Sequence, residues 1–208
     1  MICVSIANIT FSELNKIISE FAMIELRLDL LNFSNEEYKQ ILSVGIPVIA
    51  TFRTDALDDD YKINKLKTLI DLGVKYIDIE LDASKYLVGK IISYAQSKKS
   101  KIILSYHNFN KTPYQTELEK IIEEGKNLGV DYIKIVTLAN NNTDVERVLD
   151  LYKKHKNLIA FCMGEIGKKS RIESVNLGAK FTYAALSEKK QTANGQYTYT
   201  EMQKILKA

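Results

Sequence analysis

A (β/α)8 barrel is the fold predicted for this chain, and three observations carry the prediction: eight short β-type runs, helical segments between them, and charges lying inside the strands. Strands that alternate with helices pair in parallel through right-handed crossovers, and eight such units close into a barrel. A doubly wound open sheet is the competing arrangement. Its central strands are covered on both faces and read as unbroken apolar runs, whereas here several strands carry charges at alternate positions. Only a lumen or a cleft accommodates them. The 208 residues fall within the size of one domain, so residues 1–208 are expected to form a single barrel.

In chain order, the period-two runs are ICVSI (2–6), MIELRL (23–28), PVIATF (47–52) and KYIDIE (75–80). KIILSY (101–106), YIKIV (132–136), LIAFC (158–162) and KFTYA (180–184) follow. Amphipathic segments fill most of the gaps. SNEEYKQILSVG opens on Ser34, a capping residue, and stops at Gly45, while TELEKIIEEGKNLGV closes near Gly129. NTDVERVLDLYKKH separates strands six and seven, and YTYTEMQKILKA supplies the last helix.

Hydrophobic residues at 46% and charged residues at 26% match an ordinary soluble globular protein. No apolar stretch reaches the roughly 18 residues that span a bilayer, and MICVSIANIT lacks the basic lead and apolar run of a signal peptide. A cytoplasmic location is expected, with no membrane partner. Cys3 and Cys162 lie in apolar strand runs and read as small buried hydrophobes rather than a disulfide. The net charge of +3 is spread over helix faces instead of a basic stripe, so nucleic acid is not indicated.

The strand interiors are more informative. Side chains alternate along a strand, so Glu25, Arg27 and Asp29 share one face while Ile24, Leu26 and Leu28 share the other. Tyr76, Asp78 and Glu80 repeat the arrangement in strand four. In strand six, Lys134 points inward with Tyr132 and Val136. Desolvation and nearby cations such as Arg27 would favour the neutral amine, the form that attacks a ketone. The plain alternative is a lysine that pairs structurally with Glu25 or Asp78. His107 follows strand five at the carboxyl end of the barrel, where active sites collect, within reach of Lys134. A satisfied core histidine is its bland counterpart. His155, at the polar end of a lysine-rich helix, is expected to be solvated.

Of the four arginines, Arg27, Arg53 and Arg171 fall at this same barrel end, Arg171 in the loop after strand seven. Arginine's planar fork suits a carboxylate or phosphate, so a small anionic ligand is expected. The loop MGEIGKKSR (163–171) has two glycines that could present backbone N–H groups to it. In SEKKQTANGQ, Thr192 and Gln196 could bond a substrate, or the segment is a plain surface loop.

IELRLD (24–29), ATFRT (50–54), YIDIEL (76–81), SYHNF (105–109), DYIKI (131–135), MGEIGKKSR and ANGQ (193–196), in this order, resemble type I 3-dehydroquinate dehydratases of the shikimate pathway. The resemblance covers essentially the whole chain. It implies dehydration of 3-dehydroquinate to 3-dehydroshikimate without metal or organic cofactor, and a homodimer. It also implies that Lys134 forms an imine with the substrate ketone and that His107 acts as base, then acid. Arg171 would clamp the carboxylate with Gln196 and Thr192, Glu25 and Arg53 would hold ring hydroxyls, and Arg27 would set the charge around the lysine.

Two positions depart from the family pattern. A glutamate four residues after the arginine, thought to orient the histidine, is replaced by Leu57, leaving Asp55, Asp58 and Glu80 as candidates. Asn194 stands where a proline commonly precedes the glycine, which implies a more mobile lid. An aldolase acting on a phosphorylated sugar and a barrel that only binds a ligand are the other functions compatible with this pattern.

Overall fold

Each predicted run becomes a strand because one set of alternate side chains packs under helices while the other fills a lumen. The computed structural model describes residues 1–53, 56–191, 193 and 195–207. In it β1 (Ile2–Ile6), α1 (Phe11–Ile17), β2 (Ile24–Arg27), α2 (Asn35–Ser43), β3 (Val48–Thr51) and α3 (Asp59–Asp71) lead to β4 (Tyr76–Glu80) and α4 (Lys85–Ser97). The second half runs β5 (Lys101–Asn108), α5 (Gln115–Asn127), β6 (Tyr132–Leu138), α6 (Asn142–Lys154), β7 (Leu158–Met163), α7 (Gly164–Gly167), α8 (Ser170–Asn176), β8 (Thr182–Ala185) and α9 (Tyr199–Lys207).

Helix starts follow local chemistry. Ser34 accepts from the Glu37 backbone N–H at 3.3 Å, and the Glu37 carboxylate accepts from the Ser34 N–H at 2.7 Å, a reciprocal cap that fixes the entry to α2. Thr10 and Glu13 do the same for α1.

The strands pair in parallel in the order β7-β6-β5-β4-β3-β2-β1-β8. Among the described residues no ladder joins β7 to β8, so the barrel is nearly closed. Across that seam Phe161 and Tyr183 face each other with ring centroids 6.2 Å apart. Outward residues such as Leu26, Ile77 and Ile102 are fully buried under the helices, each contributing about 1.5–3 kcal/mol. Inside, Cys3, Met23, Ile49, Tyr76, Ile103, Tyr132 and Phe181 belong to one apolar cluster. The next inward residues on β1 to β6 are Ser5, Glu25, Thr51, Asp78, Ser105 and Lys134, all buried. The lumen therefore turns from apolar to polar along the strands.

Two expectations are corrected. Residues 163–171 do not form an open loop: they fold into α7 and the start of α8, which puts Arg171 on a helix. The two glycines serve close packing there, since a Cβ on Gly167 would lie 2.6 Å from that of Cys162. His155 is not solvated. It caps α6 where that helix meets α5, and its Nε2 lies 2.5 Å from Glu119 Oε2, with 9% of the side chain exposed. Cys3 and Cys162 are buried free thiols, and no helix among the described residues is long and apolar enough to cross a membrane.

Candidate active site

Alternation along β2, β4 and β6 sends Glu25, Asp78 and Lys134 into the lumen, where a cavity of about 500 Å³ opens toward the carboxyl ends of the strands. Lys134 Nζ donates to Asp78 Oδ2 at 3.1 Å and lies 3.8 Å from Glu25 Oε1. The lysine is thus paired with both carboxylates that the sequence offered as its structural partners, rather than standing among cations such as Arg27. Arg27 turns to Asp29, with Nε 3.0 Å from Oδ1 and Nη2 2.6 Å from Oδ2, and lines the cavity rim. Glu25 accepts from Ser5 Oγ at 2.8 Å and from Thr51 Oγ1 at 3.1 Å.

Arg53, just beyond β3, bridges Asp78 at 2.8 Å and Glu80 at 2.5 Å. Burial works against its charge, but the two carboxylates outweigh burial and raise its pKa. Burial likewise opposes ionisation of Asp78, and the Arg53 and Lys134 cations reverse that, holding its carboxyl well below the usual range.

His107 sits beside this network, one strand from Lys134 in a register that sets Ser105 opposite Lys134 and His107 opposite Val136. Its Nδ1 lies 3.0 Å from Glu80 Oε2. A carboxylate only accepts, so Nδ1 carries the proton and Nε2 keeps a free lone pair. Burial, reinforced by Arg53, lowers its pKa below the ordinary 6.5 despite the Glu80 hydrogen bond, which keeps the ring neutral near pH 7. The residue facing the histidine is Glu80. Asp58 caps α3 by accepting from the Asp60 and Tyr61 N–H groups, and Asp55 lies outside the described residues.

Arg171 enters the cavity from α8, 2% exposed, with its guanidinium carbon 4.5 Å from the Phe161 ring centroid. Its Nε and Nη2 have no hydrogen-bond partner among the described residues, and burial lowers its pKa to about 10. Gln196 is buried and lines the same cavity. Gly195, with φ 71°, packs so tightly on Gly164 that a Cβ would lie 2.7 Å from its carbonyl oxygen, which fixes the approach of the last loop to β7. Thr192 and Asn194 lie outside the described residues.

Lys134, His107, Glu25, Arg27, Arg53, Arg171 and Gln196 therefore share one cavity. The fourth arginine, Arg147, pairs with Asp144 on α6 at 2.8 Å. Sequence reasoning overlooked Ser5, Thr51, Phe161 and Tyr183. Alternation in ICVSI and KFTYA already put Ser5 with Cys3 and Tyr183 with Phe181, but no charge marked those faces as lumenal.

The Type I 3-dehydroquinase family model matches residues 2–208. A 3-dehydroquinate dehydratase from Thermococcus onnurineus is 34% identical over 194 residues, covering 90% of this chain and 87% of the relative. The crystal structure of 3-dehydroquinate dehydratase from Aquifex aeolicus matches at 29% identity and a TM-score of 0.84, over 100% of this chain and 97% of that one. Type I 3-dehydroquinate dehydratase from Clostridium difficile, solved with covalently modified comenic acid, matches at 27% identity and a TM-score of 0.84, over 99% and 90% of the two chains. A shared barrel and a family match running nearly end to end make this chain an enzyme, and it belongs to the type I 3-dehydroquinase family.

Proposed function

We propose that the chain dehydrates 3-dehydroquinate to 3-dehydroshikimate in the shikimate pathway through an imine on Lys134. The observation that carries this reading is a lumenal amine and a neutral imidazole on adjacent strands, sharing a cavity with a buried guanidinium whose Nε and Nη2 have no partner among the described residues. An ammonium held by Asp78 and Glu25 becomes nucleophilic by giving up a proton inside this network, and the imine it forms draws electrons from the neighbouring carbon. His107 Nε2 then removes a proton from that carbon and returns it to the departing hydroxyl. Hydrolysis of the imine frees the product.

Arg171 supplies the cation for the substrate carboxylate, assisted by Gln196 and Thr192, because a buried unpaired guanidinium is stabilised by an anion arriving in bidentate geometry. Glu25 and Arg53 serve the ring hydroxyls, and Arg27, aimed by Asp29, shapes the potential at the rim. The covalently modified ligand of the Clostridium difficile relative fits covalent chemistry at this kind of site. A cytoplasmic homodimer belongs to the same proposal.

Mixing the purified protein with 3-dehydroquinate should produce the ultraviolet absorbance of a conjugated enoate. Borohydride added during turnover should leave a substrate-derived adduct on Lys134, read by peptide mass spectrometry. Lys134→Met should give neither, with turnover lower by about 10⁴-fold or more. An adduct confined to another lysine, or a Lys134→Met protein as fast as the parent, would overturn the assignment.

A further inference from the structure

We propose that Tyr183 is a further catalytic residue whose hydroxyl donates a hydrogen bond to the oxygen that leaves as water when Lys134 forms its imine. The inference rests on the imine reading above and adds a group to it. Tyr183 projects from β8, opposite Cys3 in the β1–β8 ladder, and lines the cavity with only 4% of its surface exposed. The face of its ring meets the reacting amine, with Lys134 Nζ 4.2 Å from the ring centroid. Its hydroxyl makes no hydrogen bond among the described residues.

A phenol at this depth without a partner destabilises the fold, so its presence beside the nucleophile calls for a use. Of the other buried hydroxyls nearby, Ser5 and Thr51 both donate to Glu25, and Ser105, which also lacks a partner among the described residues, does not line the cavity. The titratable groups whose charge acts on the phenol are Glu25 from β2, Asp78 from β4, Cys3 from β1 and the Arg53 cation beyond β3. Burial first, then the two carboxylates, hold its pKa well above the ordinary 10, so the group stays protonated. It is therefore a donor at any working pH and not a base.

Imine formation needs such a donor. The nitrogen lone pair of Lys134 bonds to the ketone carbon while the C=O π pair moves onto oxygen. One proton released from nitrogen converts that oxygen to a hydroxyl, and the proton that Lys134 gave up to the network before attack converts the hydroxyl to water, so the nitrogen keeps one hydrogen and carries the positive charge of the imine. The carbon–oxygen bond breaks toward oxygen, and the nitrogen lone pair closes the C=N bond. Negative charge grows on the oxygen in both addition and departure, and a fixed O–H aimed at it lowers both barriers without giving up its proton. His107 remains the proton carrier. The ring contributes as well, because its π face lies against the nitrogen that becomes cationic in the protonated imine.

Tyr183→Phe keeps the ring and removes only the hydroxyl. Mixing each protein with 3-dehydroquinate and quenching with borohydride at successive times gives the rate at which the Lys134 adduct accumulates. The variant should accumulate it about 10²-fold more slowly. The acid limb of its kcat/KM profile, set by His107, should stay in place. Its thermal midpoint should rise by about 2–4 °C, since an unpaired buried hydroxyl is gone. Adduct formation within twofold of the parent would overturn the proposal, as would a falling midpoint, which would assign the hydroxyl a structural partner. If the parent itself formed no adduct, the imine reading would fail instead.

Discussion

Along the wall of the cavity from β2 to β6, each charge is answered: Arg53 by Asp78 and Glu80, Lys134 by Asp78 and Glu25, and His107 by Glu80. On the opposite wall, built by β7, α8 and β8, Arg171 Nε and Nη2 and the Tyr183 hydroxyl have no hydrogen-bond partner among the described residues. The first wall is closed in that it pairs its charges with one another before substrate arrives, although Ser105 Oγ on β5 also lacks a partner among the described residues. The second holds polar groups at a cost to stability, which a carboxylate and a carbonyl oxygen would recover on binding. Chemistry is thus prepared on one side and recognition left open on the other.

Among changes that spare Lys134, removing the base from the closed wall should have the largest effect. His107→Ala is expected to lower kcat by about 10²–10⁴-fold while the Lys134 adduct remains trappable, because the amine and its carboxylates are untouched. Steady-state rates and borohydride trapping on the same protein check both halves of this statement. A variant retaining near-parental kcat would show that the base lies elsewhere.

The open wall should respond differently. Arg171→Met removes a guanidinium that bonds the carboxylate only when substrate is present, so KM should rise by about 10–100-fold, more than kcat falls. The folded protein should become more stable, with a midpoint higher by about 2–4 °C, because an unpaired buried cation has been replaced by an apolar chain. Loss of the stacking on Phe161 trims that gain without reversing it. An unchanged KM, or a protein less stable than the parent, would mean that Arg171 is structural and that the two walls do not differ as described.

The closed wall was also the more legible in the sequence. All eight strands fall within two residues of the predicted runs, because period-two alternation and β-branched composition act locally. The same alternation put Glu25, Asp78, Glu80 and Lys134 on inner faces. What it could not give was distance around the barrel, and so it left Lys134 between cations such as Arg27 and the carboxylates Glu25 and Asp78, against which it lies. Glu80 stood in the sequence as one of three candidates for the histidine's partner, since only the β4–β5 pairing decides among them. On the open wall Arg171 and Gln196 were named in the sequence, but the segment that carries Arg171 was read as a loop because its glycines suggest a turn. Close packing of Gly167 on Cys162 and of Gly195 on Gly164 is a tertiary fact with no local signature. His155 failed for the same reason: its helix looks solvent-facing by composition, yet Glu119 of α5 holds it.

Glu80 tests how far the closed wall acts as a unit, with the smallest expected effect. Its carboxylate favours the imidazolium of His107, while burial and Arg53 disfavour it and prevail. In the parent, kcat/KM should therefore fall on the acid side below pH 6.5 and stay level just above it. Folding stability contributed by this group follows the same inequality. Between the lowered folded value and 6.5 the unfolded chain binds more protons, so stability rises with pH across that window and is level above it. Glu80→Gln keeps an acceptor for Nδ1–H but removes the charge that supports protonation. The His107 pKa should drop further, the acid limb should move to lower pH, and the weaker base should turn over about tenfold more slowly. A merely structural Glu80 would lower the rate with the limb unmoved. A limb that shifted toward higher pH would mean that Arg53, released from Glu80, had moved away from the imidazole.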